Sequence, residues 1–251
     1  SAALSDHLPL VATLRLAPRA APLPHRELES ACRRRREQVL RRMHESRPPA
    51  LGPPLGPGVH AKLLVIASAP MAMDWWAAHR AFFLAGGWSV AALNNGWAIA
   101  FPDVHEWWHA SDYSIFGTLF PRPEHWPCIR QQTTTQCQTR EYRSPRTCIA
   151  LLDTLHMLRL RHVRAKSASL TVVVVGSDMI YGDDTHFYMS RGTLDPLRQG
   201  EAWLRDELKA AHDKFTESGF RLYNAGPERE TLLPFPWFEE HLRTAAQAGV
   251  T

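Results

Sequence analysis

The stretch that decides the fold is residues 170–178, which read LTVVVVGSD. Four consecutive valines predict a strand that is buried on both faces, because β-branched side chains favour the extended backbone and no polar residue alternates with them. The run passes directly into GSD, a small and polar turn. Helices are predicted on both sides, over residues 148–163 and 196–218. A buried strand between two helices is typical of a parallel sheet.

Other apolar runs extend this pattern along the chain. Residues 62–68 (KLLVIAS) and 88–93 (WSVAAL) predict two strands, with a helix over residues 73–84 between them. Residues 106–110 predict a further strand, and residues 220–223 predict the last one. Crossovers of this length give right-handed βαβ units. We therefore expect an α/β fold, a Rossmann-like parallel sheet flanked by helices.

Two kinds of segment fall outside the strand–helix alternation. Residues 25–46 predict a charged helix with a block of four arginines, and residues 47–58 form a Pro- and Gly-rich connector that cannot hold a helix. We therefore divide the chain into an N-terminal segment, 1–58, and a Rossmann-like catalytic domain, 59–251. Within that domain the polar stretch 121–146 is expected to form an irregular insertion or lid.

Composition and charge exclude several classes of protein. A hydrophobic fraction of 45% and a charged fraction of 22% are those of a folded domain, not of a disordered chain. The net charge of +4 suits an anionic ligand or an acidic membrane surface but is too small to indicate nucleic-acid binding by itself. The four cysteines form no CxxC pair, which argues against a zinc ribbon or a thioredoxin-type site.

The expected location of the protein follows from the same features. No apolar run approaches the length of a membrane span, and the cysteine usage fits reduced thiols. We expect a cytoplasmic protein. The basic helix over residues 25–46 is either a solvated helix at the domain edge or a peripheral contact with anionic lipid at the inner face of the membrane. No nucleic-acid partner is expected.

Polar side chains follow the predicted strands at their carboxyl ends. In open α/β sheets, ligands bind beyond these ends because polar loops and helix N-termini converge there. Such side chains are able to hold a ribose, a base edge or phosphate oxygens, although they also serve as ordinary turn and cap residues. The set comprises Ser68, Asn94, Asn95, Asp112, Asp178 and Asn224.

The densest group of reactive side chains is residues 176–188, GSDMIYGDDTHFY. His186 on this segment is a candidate general acid or base, because the ordinary pKa of histidine lies near neutral pH. Neighbouring carboxylates such as Asp178 would orient it or act as a nucleophile. The alternative is an exposed polar loop. No GxGxxG follows the first strand and no GxxxxGK[ST] occurs, so a dinucleotide dehydrogenase and a P-loop NTPase are both disfavoured.

A competing motif is HEWWH at residues 105–109, which matches H-E-x-x-H. On a helix, His105 and His109 would share one face and bind zinc, with Glu106 as the base of a zinc-dependent hydrolase. The segment is short, and two adjacent tryptophans suit a strand as well as a helix. We keep zinc as the alternative and expect no metal. Candidates for a third ligand are Glu124, Glu141 and His125.

Four segments in order carry a family resemblance: LLVIASAP (63–70), SVAALNNGWAIAFPDVHEWWHASDY (89–113), TVVVVGSDMIYGDDTHFY (171–188) and RLYNAGPERETLLPF (221–235). Their layout resembles that of bacterial sialyltransferase-like glycosyltransferases and their relatives, the Kdo transferases and the flagellin-modifying motility accessory factors. The resemblance covers roughly residues 62–235. The first loop reads S-A-P-M where those families have G-x-G-P-S, and so lacks their glycines.

The resemblance implies transfer of a CMP-linked acidic sugar, of sialic acid or Kdo type, to a glycan or glycoconjugate acceptor without a metal or another cofactor. It implies that Asp112 faces the donor sugar, that Asp178 lies at the site and that His186 is the base of an inverting reaction; a retaining one would use a carboxylate such as Asp112 as nucleophile. The implied nucleotide-binding residues are Ser68, Ala69, Asn94, Asn95 and Ser177. Another phosphate-handling α/β enzyme and a non-catalytic nucleotide-binding relative remain open.

Overall fold

The computed structural model describes residues 61–110, 131–135, 150–177, 201–226, 231 and 233–247, together with six positions between 30 and 41. Within these residues, six strands form one sheet in the order β4-β3-β2-β1-β5-β6, and every neighbouring pair is parallel. The strands are β1 (Lys62–Ile66), β2 (Ser89–Leu93), β3 (Glu106–Ala110), β4 (Gln131–Thr135), β5 (Thr171–Val175) and β6 (Arg221–Ala225). This is the α/β, Rossmann-like sheet that the sequence predicts.

Helices cover both faces of the sheet. They are α1 (Met71–Ala85), α2 (Gly96–Ala100), α3 (Ala150–Arg164), α4 (Glu201–Glu217) and α5 (Phe238–Gln247). One apolar cluster joins α1, α2 and α5 to one face, and a second joins α3 and α4 to the other. Alternate residues of β1, β2 and β5 enter opposite clusters, so each of these strands is apolar at every position after its first residue and not at every second one.

The strand order reverses beside β1. From β1 the chain moves outward through β2, β3 and β4, and it then returns to the other side of β1 to form β5 and β6. The ladder between β1 and β5 continues past both strands, with the Ala67 amide donating to the Val175 carbonyl at 2.9 Å and the Ala69 amide donating to the Gly176 carbonyl at 3.0 Å. The two loops that flank the reversal are therefore held side by side.

Most predicted elements are confirmed with small shifts at their ends, but three are corrections. Residues 131–135 form strand β4 inside the stretch expected to be irregular, paired in parallel with β3. Its sequence, QQTTT, lacks apolar residues because it is an edge strand, where threonine supplies β-propensity without hydrophobicity. Helices α2 and α5 were not predicted at all. The remainder of the expected insertion lies outside the described residues.

The six described positions of the N-terminal segment are helical and exposed, which agrees with both alternatives for this helix, a solvated one and one that contacts anionic lipid. They are Ser30, Arg33, Arg34, Glu37, Gln38 and Arg41. In the part of the chain that the structure describes, no helix combines the length and the apolar character needed to cross a membrane.

Candidate functional site at the carboxyl edge of the sheet

The carboxyl ends of β2, β1 and β5 lie next to one another, and predicted site residues follow all three. Ser68 follows β1, Asn94 and Asn95 follow β2, and Ser177 follows β5. Because neighbouring strands are about 4.8 Å apart, the ends of β2 and β5 lie on the order of 10 Å from each other. The edge beside the strand-order reversal thus brings these four residues together, at the place where open α/β sheets bind their ligands.

Two glycines allow the backbone to come close at this edge. A Cβ at Gly96 would overlap the carbonyl of Ile66, so only glycine permits α2 to start against the end of β1. Gly176 has a φ of +74°, and a Cβ there would lie 2.6 Å from the Cβ of Ala72 in the first turn of α1. The sequence shows no glycine in the loop after β1. The structure supplies glycines from the neighbouring loops after β2 and β5 instead.

The backbone of Ala69 is already used in the fold. Its amide donates to Gly176, and its carbonyl accepts a hydrogen bond from the Ala72 amide at 3.0 Å. This amide is therefore bonded to the β5 loop in the structure and is not presented to a phosphate group. The feature of the loop that suits an anion is the start of α1, whose N-cap residue Pro70 makes no side-chain capping bond.

The two asparagines after β2 differ in exposure. Asn94 is half-buried and has a φ of +46°, a left-handed conformation that asparagine tolerates better than most residues. Its amide donates to the Trp108 carbonyl at 2.8 Å, and its carbonyl accepts from the Trp107 indole at 2.8 Å. Asn95 is only 2% exposed. Of the two alternatives, Asn94 is the one that a ligand is able to reach.

The remaining predicted site residues lie outside the described part of the chain. These are the three catalytic candidates and the three candidates for a third zinc ligand: Asp112, Asp178, His186, Glu124, His125 and Glu141. Their roles stay predictions.

The HEWWH motif lies on a strand and not on a helix, which corrects the geometry that the zinc alternative needs. Along β3 the Cα atoms of residues 105 and 109 are about 13 Å apart. His105 precedes the strand at its amino end, where its Nδ1 accepts a hydrogen bond from the Val90 amide at 3.0 Å. Among the described residues, no group of three or more His, Cys, Asp or Glu side chains is arranged to hold a metal ion.

Glu106 has a structural partner in place of a catalytic role. Its carboxylate is 2% exposed and accepts hydrogen bonds from Arg161 at 2.8 Å and from the Trp108 indole at 2.9 Å. The Arg161 guanidinium also lies 5.1 Å from the centre of the Trp108 ring. The pair connects β3 to α3 at the amino end of the strand, which is the edge opposite the candidate site.

Asn224 was predicted to face a ligand at a strand end, and this is wrong. It is the fourth residue of β6, its side chain is 0% exposed, and neither amide atom of that side chain has a hydrogen-bond partner. Its backbone amide donates to the Pro236 carbonyl at 2.9 Å, so the segment before α5 covers it. The last strand was predicted to end at residue 223, whereas β6 ends at residue 225. This difference of two residues is why Asn224 was expected at the edge of the sheet although it lies in the core.

Glu239, in the first turn of α5, is a buried carboxyl group that the sequence reasoning missed. It is 8% exposed, and its Oε1 accepts a hydrogen bond from the Gly226 amide, just after β6, at 3.4 Å. Burial raises the pKa of Glu239 above its ordinary value, and hydrogen bonds and the charge of Arg243 offset part of that effect. The available signal was the i, i+4 spacing of Phe238 and Leu242, which places the intervening acid on a packed helix.

The chain was compared with protein-family models, with curated proteins and with solved structures. None of the three comparisons finds a match. The fold and the residues at the carboxyl edge are therefore the basis for the functional assignment below.

Proposed function

We propose that this chain is a glycosyltransferase that uses a nucleotide-activated sugar, a CMP-linked acidic sugar of sialic acid or Kdo type, on a glycan or glycoconjugate acceptor. One observation carries the proposal: Ser68, Asn94 and Ser177 follow three adjacent parallel strands at the reversal of strand order, beside the start of α1. The donor class comes from the family resemblance of the four sequence segments.

The chemistry of this edge suits a nucleoside phosphate. The 15-residue helix α1 directs the positive end of its dipole at the edge, where it would stabilise a phosphate, although the Ala72 and Met73 amides of its first turn already bond the Ala69 and Pro70 carbonyls. The hydroxyl groups of Ser68 and Ser177 are able to bond phosphate or ribose oxygens. The side-chain carboxamide of Asn94 has both a hydrogen-bond donor and an acceptor, which is what the edge of a pyrimidine base requires.

In the proposed reaction, His186 removes the proton of the acceptor hydroxyl group as that oxygen attacks the anomeric carbon, and CMP leaves with the bonding electrons. A well-placed general base contributes about 10²–10⁴ in rate. Asp112 would face the donor sugar and Asp178 would lie beside the base. No observation favours the zinc-hydrolase alternative, because the helix on which it depends is a strand.

The test is a thermal-shift screen of the metal-stripped protein against CMP, CDP, UDP, GDP, NAD and zinc. A ligand at 100 times its dissociation constant stabilises the native state by about 2.7 kcal/mol, which corresponds to a rise of about 5–10 °C for a domain of this size. We expect a selective rise with CMP. A rise with zinc alone would contradict the proposal, and CMP binding without sugar transfer would indicate a non-catalytic relative.

A matched pair of variants locates the bound nucleotide. Ser177→Ala and Ser169→Ala are the same substitution just beyond the carboxyl end and just before the amino end of β5. Loss of a hydrogen bond to a charged phosphate costs about 1.5–3 kcal/mol, so Ser177→Ala should weaken CMP binding by at least tenfold in calorimetry. Ser169→Ala should leave it unchanged. Equal affinities in both variants would place the nucleotide elsewhere.

A further inference from the structure

Glu239 connects three elements of the fold. It lies in the first turn of α5, its Oε1 accepts a hydrogen bond from the Gly226 amide after β6, and it lies beside the Trp75 side chain of α1. Its second oxygen, Oε2, is buried and has no hydrogen-bond partner in the part of the chain that the structure describes. A neutral carboxylic acid tolerates such a place far better than a carboxylate does, because an ionised oxygen without partners loses its hydration and gains nothing in return.

Apolar side chains make the rest of the contact between α5 and the domain, Leu242 among them, and most of that contact is aromatic. Phe238 packs on α1, on the residue before β2 and on β6, with ring centroids 5.9 Å from Phe83, 5.5 Å from Trp88 and 5.7 Å from Tyr223. Helix α5 has only ten residues, which is too short to be stable in water without these contacts. The carboxyl group of Glu239 thus sits in an interface on which the whole helix depends.

Among the described residues, few charged groups face Glu239. Arg243, one turn further along α5, donates through Nε to the backbone carbonyl of Glu239 at 3.3 Å, not to its carboxyl group. On α1, His79 stacks on Trp75 at 4.5 Å, and burial lowers the pKa of this histidine. Further along α5, His241 stacks on Tyr223 at 4.7 Å, and its pKa is lowered by burial and by Arg221 on β6.

We propose that the contact of Glu239 with Gly226 and Trp75 is a proton-dependent attachment of α5, which lies closed on the sheet while the carboxyl group is neutral and opens more readily once it is ionised. The inference does not depend on the proposed transferase activity. The ionisation of Glu239 controls how often α5 opens and uncovers the aromatic surface beneath it.

The direction of the pH effect identifies the group responsible. The folded-state pKa of Glu239 is raised, so its stabilising contribution is full at low pH and is lost as the pH rises through that raised value. The pKa values of His79 and His241 are lowered, so their contributions are lost in the opposite direction, as the pH falls. A closed helix that opens as the pH rises therefore points to Glu239 and not to either histidine.

The experiment is hydrogen exchange with mass spectrometry on the full chain at several pH values between 5 and 8, with exchange times scaled for the intrinsic chemical rate. Peptides within residues 238–247 report α5, and peptides within residues 171–175 report the central sheet as a reference. We expect the protection of α5, relative to the sheet, to fall at least threefold as the pH rises. A constant ratio, or a rise, would overturn the proposal with the wild-type protein alone.

Two neighbouring variants complete the test. Glu239→Gln keeps the shape of the side chain but cannot ionise, and the fall in protection should disappear. Glu240→Gln is the same substitution at the next residue, which is exposed in the same helical turn, and it should follow the wild type. If the protection of α5 in Glu239→Gln still decreases as the pH rises, Glu239 is not the group responsible and the proposal is refuted. If Glu239→Gln does not fold, the Glu240→Gln variant decides. A pH-dependent decrease in the protection of α5 like that of the wild type would support the proposal. Loss of that decrease in Glu240→Gln would assign the effect to Glu240 and refute the proposal.

Discussion

At the scale of the residue, Asn224 carries a buried side-chain amide with no hydrogen-bond partner among the described residues at either polar atom, and it lies in a strand whose last four residues are buried. Replacing such a group with an apolar one of similar volume removes an unmet desolvation cost. We expect Asn224→Leu to raise the free energy of unfolding by about 1–3 kcal/mol in urea titrations. Asn95→Leu is the control, because Asn95 is also buried but does make an interaction, and it should destabilise. A less stable Asn224→Leu protein would mean that the amide is bonded.

Gly96 is a second residue whose replacement has a definite result. An added Cβ would meet the backbone carbonyl of Ile66, which cannot move without distorting the central strand β1. We expect Gly96→Ala to cost about 3 kcal/mol or more, in the range of other overpacking and strain effects. Gly87→Ala is the control: Gly87 has a φ of +70° with open space around it, so its cost is limited to about 1–2 kcal/mol of backbone strain. Equal losses in thermal unfolding would contradict the close approach at Gly96.

At the scale of the element, the link between β3 and α3 depends on the buried pair of Glu106 and Arg161. We expect Glu106→Gln to lower the free energy of unfolding by about 3 kcal/mol, because it leaves a mostly buried arginine without its counter-charge. Asp103→Asn is the matched control. Its partner Arg80 is 49% exposed, so water compensates part of the lost charge, and the cost should stay near about 1 kcal/mol although Asp103 is itself 10% exposed and accepts two hydrogen bonds from Arg80. Denaturant unfolding of both variants measures the difference. A Glu106→Gln protein of unchanged stability would show that the buried pair makes no net contribution to the free energy of unfolding.

The elements also show which parts of the fold the sequence was able to predict. Runs such as TVVVV identified β5, and the polar residues after the strands located the candidate edge, with Ser68, Asn94 and Ser177. Strand β4 was missed because its residues, QQTTT, include no apolar side chain. The backbone pairing with β3 that makes it a strand leaves no hydrophobic pattern in the sequence. Glu239 was missed for a similar reason: an acid in a helix normally faces water, and only the packing of three distant elements buries it.

At the scale of the whole molecule, the sheet and the five helices that cover it all lie between residues 61 and 247. Both described apolar clusters are composed of residues from that range, and they cover the two faces of the sheet. A chain shortened to residues 59–251 should therefore fold alone, as a domain of this length is able to do. We expect one cooperative transition in calorimetry, with a midpoint within a few degrees of that of the full chain. The shortened chain should also bind CMP with unchanged affinity. A broad transition, or binding of an apolar dye such as ANS, would show that the N-terminal segment completes the fold.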